Sequence, residues 1–195
     1  MHTEIAELKK AKTQYPVIEV IKSRWSPRSF SEKAIIADDL QTLFEAASWA
    51  PSSMNEQPWQ YIYAYKSETG FQNFVDCLKP GNQPWAKNAA VLAVSLARKQ
   101  FAKGKDNRTA MHDTGLANMQ LVLQAMNMDI YVHMMAGFEM QKTKDTFNLP
   151  ENLEIVCFMA LGYLDSPEKL PEPFKTREMN ERTRKNIAEF TFHHH

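Results

Sequence analysis

Several features that would classify a protein at once are scarce in this 195-residue sequence. It has two cysteines, Cys77 and Cys157, so neither a disulfide framework nor a Cys-x-x-Cys motif is present. This usage is typical of a reducing environment and predicts a cytoplasmic protein. No apolar run reaches the roughly 18 residues that cross a bilayer, and the polar start MHTEIAELKK lacks a secretory signal pattern. We therefore expect no membrane segment.

An excess of charge of one sign is also absent, since 23 Lys and Arg residues balance 23 Asp and Glu residues. General nucleic-acid binders usually have a basic excess, so we expect no nucleic-acid partner. Hydrophobic residues make up 44% and charged residues 24%, which are ordinary values for a folded chain. The length indicates one domain, with room for an extension.

The usual catalytic motifs are missing too. The sequence contains no G-x-S-x-G, P-loop, H-E-x-x-H or G-x-G-x-x-G pattern. His112 stands beside Asp113, but neighbours on a helix do not face each other, so we predict a structural role for this pair. His133 has apolar neighbours and is predicted to lie in the core or to line a cofactor. A bound cofactor could then supply the chemistry.

Hydrophobic periodicity predicts an α+β fold with more helix than strand and a small sheet at its centre. Helices are expected as one or two short pieces over 4–24, over 37–50, where Pro51 ends the helix, and over 68–79, 110–129 and 137–148. Strands are expected over 59–66, 89–97 and 154–164. Asp38 is expected to cap the helix that begins at residue 37. The helix over 110–129 is apolar nearly all round, which is typical of a helix that is buried or packs against another subunit. The tail from Asp165 has little apolar content, so we expect it to reach across a partner.

A stretch with two arginines, SRWSPRSF over residues 23–30, is the first candidate site. Pro27 favours an extended conformation for the residue before it, and alternate side chains of an extended chain share one side. Arg24, Ser26 and Arg28 can therefore converge on one compact dianion such as a phosphate monoester. A solvated basic turn, a modification site and a phosphopeptide-binding surface remain alternatives.

The second candidate site is the stretch APSSMNEQPWQ over residues 50–60. It presents Ser52, Ser53, Asn55 and Gln57 directly after a predicted helix. Asn and Gln offer both donors and an acceptor, which suits the edge of a heterocycle that has carbonyl and N–H groups. Contacts within a turn are the alternative interpretation.

Five stretches in order along nearly the whole chain carry a further signal. They are Arg24-Trp25-Ser26-Pro27-Arg28-Ser29-Phe30; Ala50 to Trp59; Asn82 and Trp85 before AAVLAV; the helix DTGLANMQLVLQA; and MMAGF, followed by ALGY and Lys175-Thr176-Arg177. In this combination the sequence resembles the nitroreductase family of FMN-dependent oxidoreductases. The resemblance implies a nitroreductase-like α+β fold, in which helices flank a small, mostly antiparallel central sheet. It also implies a homodimer with FMN at the subunit interface. An FMN-binding core would span 1–165, an extension over 166–190 would pack on the partner, and 191–195 would be a tail with a purification-tag remnant.

The resemblance also implies roles for individual residues. Arg24, Ser26 and Arg28 would bind the FMN phosphate with Lys175 or Arg177, and Trp25 stands where relatives often have a basic residue. Fourteen cofactor contacts besides Trp25 are implied: Arg24, Ser26, Arg28, Ser52, Ser53, Asn55, Gln57, Asn82, Met134, Met135, Ala136, Gly137, Lys175 and Arg177. No metal and no catalytic side chain are expected.

The implied activity is reduction of planar acceptors such as nitroaromatics or quinones by NADH or NADPH, in a ping-pong scheme through flavin N5. Other reactions on the same fold stay open, namely enone reduction, dehalogenation and flavin fragmentation. A flavin-binding or redox-sensing protein without turnover is the alternative of a different class.

Overall fold

The computed structural model describes residues 2–194 and centres on one antiparallel sheet. Its strands are β1 (Trp59–Tyr65), β2 (Val91–Arg98), β3 (Tyr131–Met135) and β4 (Leu153–Gly162), in the spatial order β1-β2-β4-β3. Each neighbouring pair is antiparallel, with Trp59 opposite Ala97 at one end of the sheet and Tyr131 opposite Gly162 at the other. The α+β prediction is confirmed.

Eight α-helices surround this sheet in the described part of the chain. They are α1 (His2–Lys9), α2 (Glu19–Ser23), α3 (Ala37–Ser48), α4 (Phe71–Cys77), α5 (Gln83–Ala86), α6 (Ala110–Asn127), α7 (Met140–Thr146) and α8 (Phe174–Met179). None of the helices within residues 2–194 has the length and apolar character needed to span a membrane. Of the histidines assigned to a tag, His195 lies outside the described residues.

The two faces of the sheet belong to two separate cores because successive side chains of a strand point to opposite sides. Residues 91–97 of β2 are buried throughout, as expected for a central strand covered on both faces. On one face Ala93 packs with Leu43 of α3 and Leu121 of α6. On the other face Leu92 packs in the same core as Trp85 of α5. The sheet is thus the wall between two helical layers.

A buried polar network fixes α6 against the sheet. The Asn118 side chain on α6 accepts hydrogen bonds from the hydroxyls of Tyr61 and Ser95, each at 2.9 Å. Burial raises the pKa of the Tyr61 hydroxyl, which therefore stays a donor. Asn118 and Ser95 are almost completely buried, so losing this acceptor would leave hydroxyls unpaired in the core. The network sets the register of α6 on β1 and β2.

The structure corrects two local predictions. Asp38 does not cap α3: the N-cap position is Ile36, without a side-chain cap, and Asp38 lies inside the first turn. The prediction that His112 and Asp113 would not face each other was also wrong, because Nδ1 of His112 lies 2.9 Å from Oδ1 of Asp113. Both residues stand in the first turn of α6, where the Asp113 carboxylate also accepts the Ser53 N–H at 2.9 Å. The predicted structural role therefore has a visible basis.

The first part of the C-terminal extension packs on its own chain. Leu170 and Phe174 join the core cluster that contains Trp25 and Trp85, and Glu178 is 1% exposed. Beyond residue 182 the side chains are exposed. Packing of the extension over 166–190 on a partner stays a prediction.

Candidate functional site

The segment from residue 24 to 29, called the basic segment here, runs extended and alternates in burial. Trp25, Pro27 and Ser29 are buried, whereas Arg24, Ser26 and Arg28 are half-exposed. Pro27 helps to keep the chain extended, and Phe30 then forms a β-bridge with Leu164 just beyond β4. Two guanidiniums and one hydroxyl are therefore presented on the same side of the segment.

Trp25 faces the opposite way from the arginines. Its ring is 5% exposed, meets Tyr131 edge-on with the ring centroids 6.2 Å apart, and has the Lys9 ammonium 5.1 Å from its centroid. The alternation that exposes Arg24 is what buries its neighbour. The Trp25 side chain is accordingly a core residue, and its role as a cofactor contact stays a prediction.

Positive charge around Arg24 comes from a part of the tail that sequence reasoning missed. Burial lowers the pKa of Arg24, and the nearby Arg184 lowers it further. Burial, Arg24 and Arg184 lower the pKa of Arg182, whose guanidinium donates to the carbonyls of Lys9 and Lys22 at 2.9 Å each. No carboxylate pairs with Arg24 among the described residues. A half-buried cation whose charged neighbours are cations is a site prepared for an anion.

The predicted tail residues Lys175 and Arg177 have other surroundings. Lys175 forms an ion pair with Glu168, which raises the pKa of the lysine. Arg177 is exposed on α8. The signal that could have found Arg182 and Arg184 is their Arg-x-Arg spacing, which places two cations two positions apart as in Lys175-Thr176-Arg177.

Arg28 connects the basic segment to the sheet through an aromatic stack. Its guanidinium carbon lies 5.8 Å from the Trp85 ring centroid, and the His133 ring lies 4.5 Å from the same centroid. His133 Nδ1 is 2.9 Å from the Pro27 carbonyl oxygen. Burial lowers the pKa of His133 to about 4, so the ring is neutral at pH 7 and donates through Nδ1–H to Pro27. His133 is thus a partly buried residue that supports the segment.

The edge strand β3 leads from this stack to the remaining predicted contacts. Met134 and Ala136 are exposed, whereas Met135 is 3% exposed and points into the core. The Gly137 carbonyl accepts the Lys79 N–H and the Asn82 side-chain amide, each at 3.0 Å. A Cβ at position 137 would lie 2.7 Å from the Asn82 amide nitrogen, so a larger residue here would displace the Asn82 side chain. No hydrogen bond in the described part of the chain uses the Gly137 N–H.

The loop over residues 51–58, called the amide loop here, has an unusual backbone. Met54, Asn55 and Gln57 have φ values of 56°, 55° and 50°, which is the left-handed region. Such residues are costly and occur preferentially at binding sites. Ser52 Oγ accepts the Gln57 N–H at 3.0 Å, and the Gln57 side chain donates to the Asn55 carbonyl at 3.2 Å. Within the described residues the Asn55 side chain makes no hydrogen bond.

The amide loop and the basic segment lie at opposite ends of the sheet. The loop leads into Trp59, which is level with Ala97 and Glu154, whereas the segment leads into Phe30, which is level with Leu164. β4 has 10 residues and is therefore about 30 Å long. The structure thus places the basic segment at one end of the sheet and Ser52, Ser53, Asn55 and Gln57 at the other. β3 begins near the end that holds the basic segment and runs along β4 away from it, towards Gly137 and its partner Asn82.

Three large apolar side chains in or close to the amide loop are exposed. Trp49 at the end of α3 is 80% exposed, Met54 in the loop is 87% exposed, and Met111 in the first turn of α6 is 45% exposed. Large exposed apolar side chains that cluster in this way mark interaction surfaces. No group of His, Cys, Asp and Glu side chains within residues 2–194 is arranged to hold a metal ion.

An antiparallel four-stranded sheet thus lies between two helical layers, with the basic segment at one end and the amide loop at the other. A model of the nitroreductase family matches residues 21–76 and 70–163. The chain belongs to the nitroreductase family.

Individual relatives agree with this assignment. A solved structure described as an oxidoreductase containing FMN is 33% identical, covers 93% of both chains and has a TM-score of 0.87. A nitroreductase family protein from Clostridium novyi NT is 26% identical, covers 78% of this chain and 87% of the other, and has a TM-score of 0.66. A protein of Archaeoglobus fulgidus, whose proposed name is NADH dehydrogenase/NAD(P)H nitroreductase, is 25% identical over 150 residues, which are 75% of this chain and 84% of that protein. The predicted family and fold are confirmed.

Proposed function

We propose that this protein is an FMN-dependent oxidoreductase that uses NADH or NADPH to reduce nitroaromatic, quinone or similar planar acceptors. The observation that carries the proposal is the alternation of the basic segment, which presents Arg24, Ser26 and Arg28 on one side without a carboxylate partner for Arg24. The similarity to an oxidoreductase that contains FMN supports the same cofactor here.

The donor set fits the phosphate of FMN. Arg24, Ser26 and Arg28 supply two guanidiniums and a hydroxyl, which match a compact dianion. Arg184, rather than Lys175 or Arg177, is the tail cation that stands beside Arg24. A bound phosphate would relieve the repulsion between these cations. In this proposal Arg182 anchors the tail through its two carbonyl contacts and keeps Arg184 in place.

The amide loop and the β3 edge fit the flavin ring. Asn55 and Gln57 would read the carbonyl and N–H groups of the pyrimidine edge, and their donors would stabilise the negative charge that the ring acquires on reduction. The free Gly137 N–H is a donor for the central nitrogen of the ring, and Asn82 fixes the Gly137 peptide through its carbonyl. FMN, when bound, supplies hydride transfer at N5 between the nicotinamide and the acceptor.

Two copies of the chain are needed to bring both sets of residues to one ligand. One small molecule does not span the length of the sheet that separates the basic segment from the amide loop. In a symmetric dimer, the basic segment of one copy can meet the amide loop of the other, and the site then occurs twice. The exposed Trp49, Met54 and Met111 would be covered in such a dimer. We therefore propose a homodimer with FMN between the subunits.

A direct experiment is to purify the protein, record its flavin absorbance, and measure oxidation of NADH and NADPH with a nitroaromatic or a quinone. Flavin absorbance together with acceptor-dependent turnover is the expected result. Flavin absorbance without turnover would favour a binding or sensing protein. Failure to retain or take up FMN would overturn the proposal.

A mixing experiment tests the composite site. Arg24→Gln damages only the basic segment and Asn55→Ala only the amide loop, so each homodimer should lose FMN. After co-refolding in equal amounts, half of the dimers contain both variants and each of these has one intact site, which predicts about a quarter of the wild-type flavin content. If the refolded mixture binds no flavin, the basic segment of one chain and the amide loop of the other do not form a shared site.

A further inference from the structure

Glu178 is a buried carboxylate that has no role in the proposed function as stated above. It lies on α8, is 1% exposed, and contacts the basic segment across 150 positions of the chain. Its Oε1 accepts the backbone N–H of Arg28 at 2.7 Å and that of Ser29 at 3.3 Å. The carboxylate therefore holds the backbone at the last two residues of the segment.

The charges around Glu178 come from two elements. Lys9 of α1 and Arg28 face the carboxylate, and the Lys9 ammonium donates to the Asn180 carbonyl. Oε2 is 3.7 Å from the nearest guanidinium nitrogen of Arg28 and has no hydrogen bond within the described residues. That distance is too long for a hydrogen bond. The firm contact is the one between Oε1 and the two N–H groups, and it depends on the reach of the side chain.

These two N–H groups decide where the arginines point. The basic segment lies outside the sheet, so no strand neighbour accepts its donors, and Ser29 is 3% exposed. Buried N–H groups that lose their acceptor must find another, which requires the backbone to rotate. Rotation would break the alternation that places Arg24, Ser26 and Arg28 on one side.

We propose that Glu178 is a positioning residue for phosphate: through Oε1 it fixes the backbone at Arg28 and Ser29 and so keeps the basic segment in the conformation that binds the FMN phosphate. This inference rests on the proposed function. It assigns to α8 a role that neither Lys175 nor Arg177 provides, because the helix acts through hydrogen bonds to the backbone and not through a cation.

The test distinguishes the length of the Glu178 side chain from its charge. Glu178→Gln keeps the length of the side chain and a carbonyl oxygen but removes the charge. Glu178→Asp keeps the charge but withdraws the oxygen by one methylene. Glu181→Gln, on the exposed part of the same tail, is the matched control. Flavin is removed from both variants, from the control and from the wild type. Dissociation constants are then measured by flavin fluorescence for FMN and for riboflavin, which has the same ring without the phosphate.

Glu178→Asp should lower the preference for FMN over riboflavin about tenfold, the equivalent of one lost hydrogen bond to a positioned group. Glu178→Gln and Glu181→Gln should stay close to the wild type. The inference is overturned if Gln loses the preference while Asp keeps it, if both variants keep it, or if FMN and riboflavin weaken equally. A wild type that binds no FMN overturns the proposed function itself, whereas wild-type binding with any of those three patterns overturns this inference alone.

Discussion

The substitution Arg24→Gln should have opposite effects on cofactor binding and on the stability of the flavin-free protein. Arg24 is half-buried, its pKa is lowered by burial and by Arg184, and no carboxylate pairs with it in the described part of the chain. A lowered pKa of a cation means that folding disfavours the charge. Because an arginine stays protonated at any ordinary pH, this cost does not vary with pH.

The magnitudes follow from the type of contact. A charge-assisted hydrogen bond contributes about 1.5–3 kcal/mol, so the loss of Arg24 should weaken FMN binding by about 10- to 150-fold. Relief of repulsion between partly exposed charges is small, from zero to about 1 kcal/mol, which corresponds to a Tm rise of at most about 2–4 °C.

Both effects can be measured on the same samples. Fluorescence titration gives the dissociation constant of FMN, and thermal unfolding of the flavin-free protein gives Tm. Lys142→Gln, which removes an exposed charge from α7, is the matched control and should change neither quantity. A flavin-free Arg24→Gln protein with a clearly lower Tm would refute the view that Arg24 is held for a ligand, as would unchanged FMN affinity.

Two further substitutions probe the supports of the site. Gly137→Ala places a Cβ 2.7 Å from the Asn82 amide nitrogen, so we expect the Asn82 contact to be lost and urea unfolding to show a destabilisation of about 1–2 kcal/mol. Gly81→Ala, where a Cβ meets nothing within 4 Å, is the control, and equal effects of the two would contradict this reasoning. The pKa of His133 is lowered to about 4, so the folded state favours the neutral ring. The neutral ring therefore contributes fully to the unfolding free energy above about pH 6.5, and this contribution is lost as the pH falls towards 4. The wild type should therefore lose about 2–3 kcal/mol of unfolding free energy between pH 7 and 4.5 relative to His133→Asn, which keeps a donor for the Pro27 carbonyl, and parallel pH profiles would count against the assignment.

Strong periodicity made most of the fold predictable. The apolar run over 89–97 and the alternation over 59–66 correspond to β2 and β1, and α6 follows the predicted helix to within two residues at its end. The strand β3 was not predicted, because its five residues follow α6 almost directly and mix polar with apolar side chains. As an edge strand it pairs only with β4 and needs no fully apolar pattern.

The candidate site was predictable only where residue types repeat at short spacing. Arg24, Ser26 and Arg28 could be grouped because an extended chain aligns alternate residues. Glu178 could not be found, because its partners are backbone N–H groups 150 positions away and a glutamate in a charged tail gives no sign of burial. Arg182 and Arg184 stand in the same tail, where many charges make each one inconspicuous.

The long-range contact between α8 and the basic segment has a consequence for biosynthesis. Residues 24–29 leave the ribosome early, yet the carboxylate that holds two of their N–H groups belongs to residue 178, and the guanidinium next to Arg24 belongs to residue 184. These contacts therefore cannot form before residues 178 and 184 have left the ribosome. Under the proposed function, loading of FMN has to wait until residues 178–184 have emerged and folded back on the basic segment.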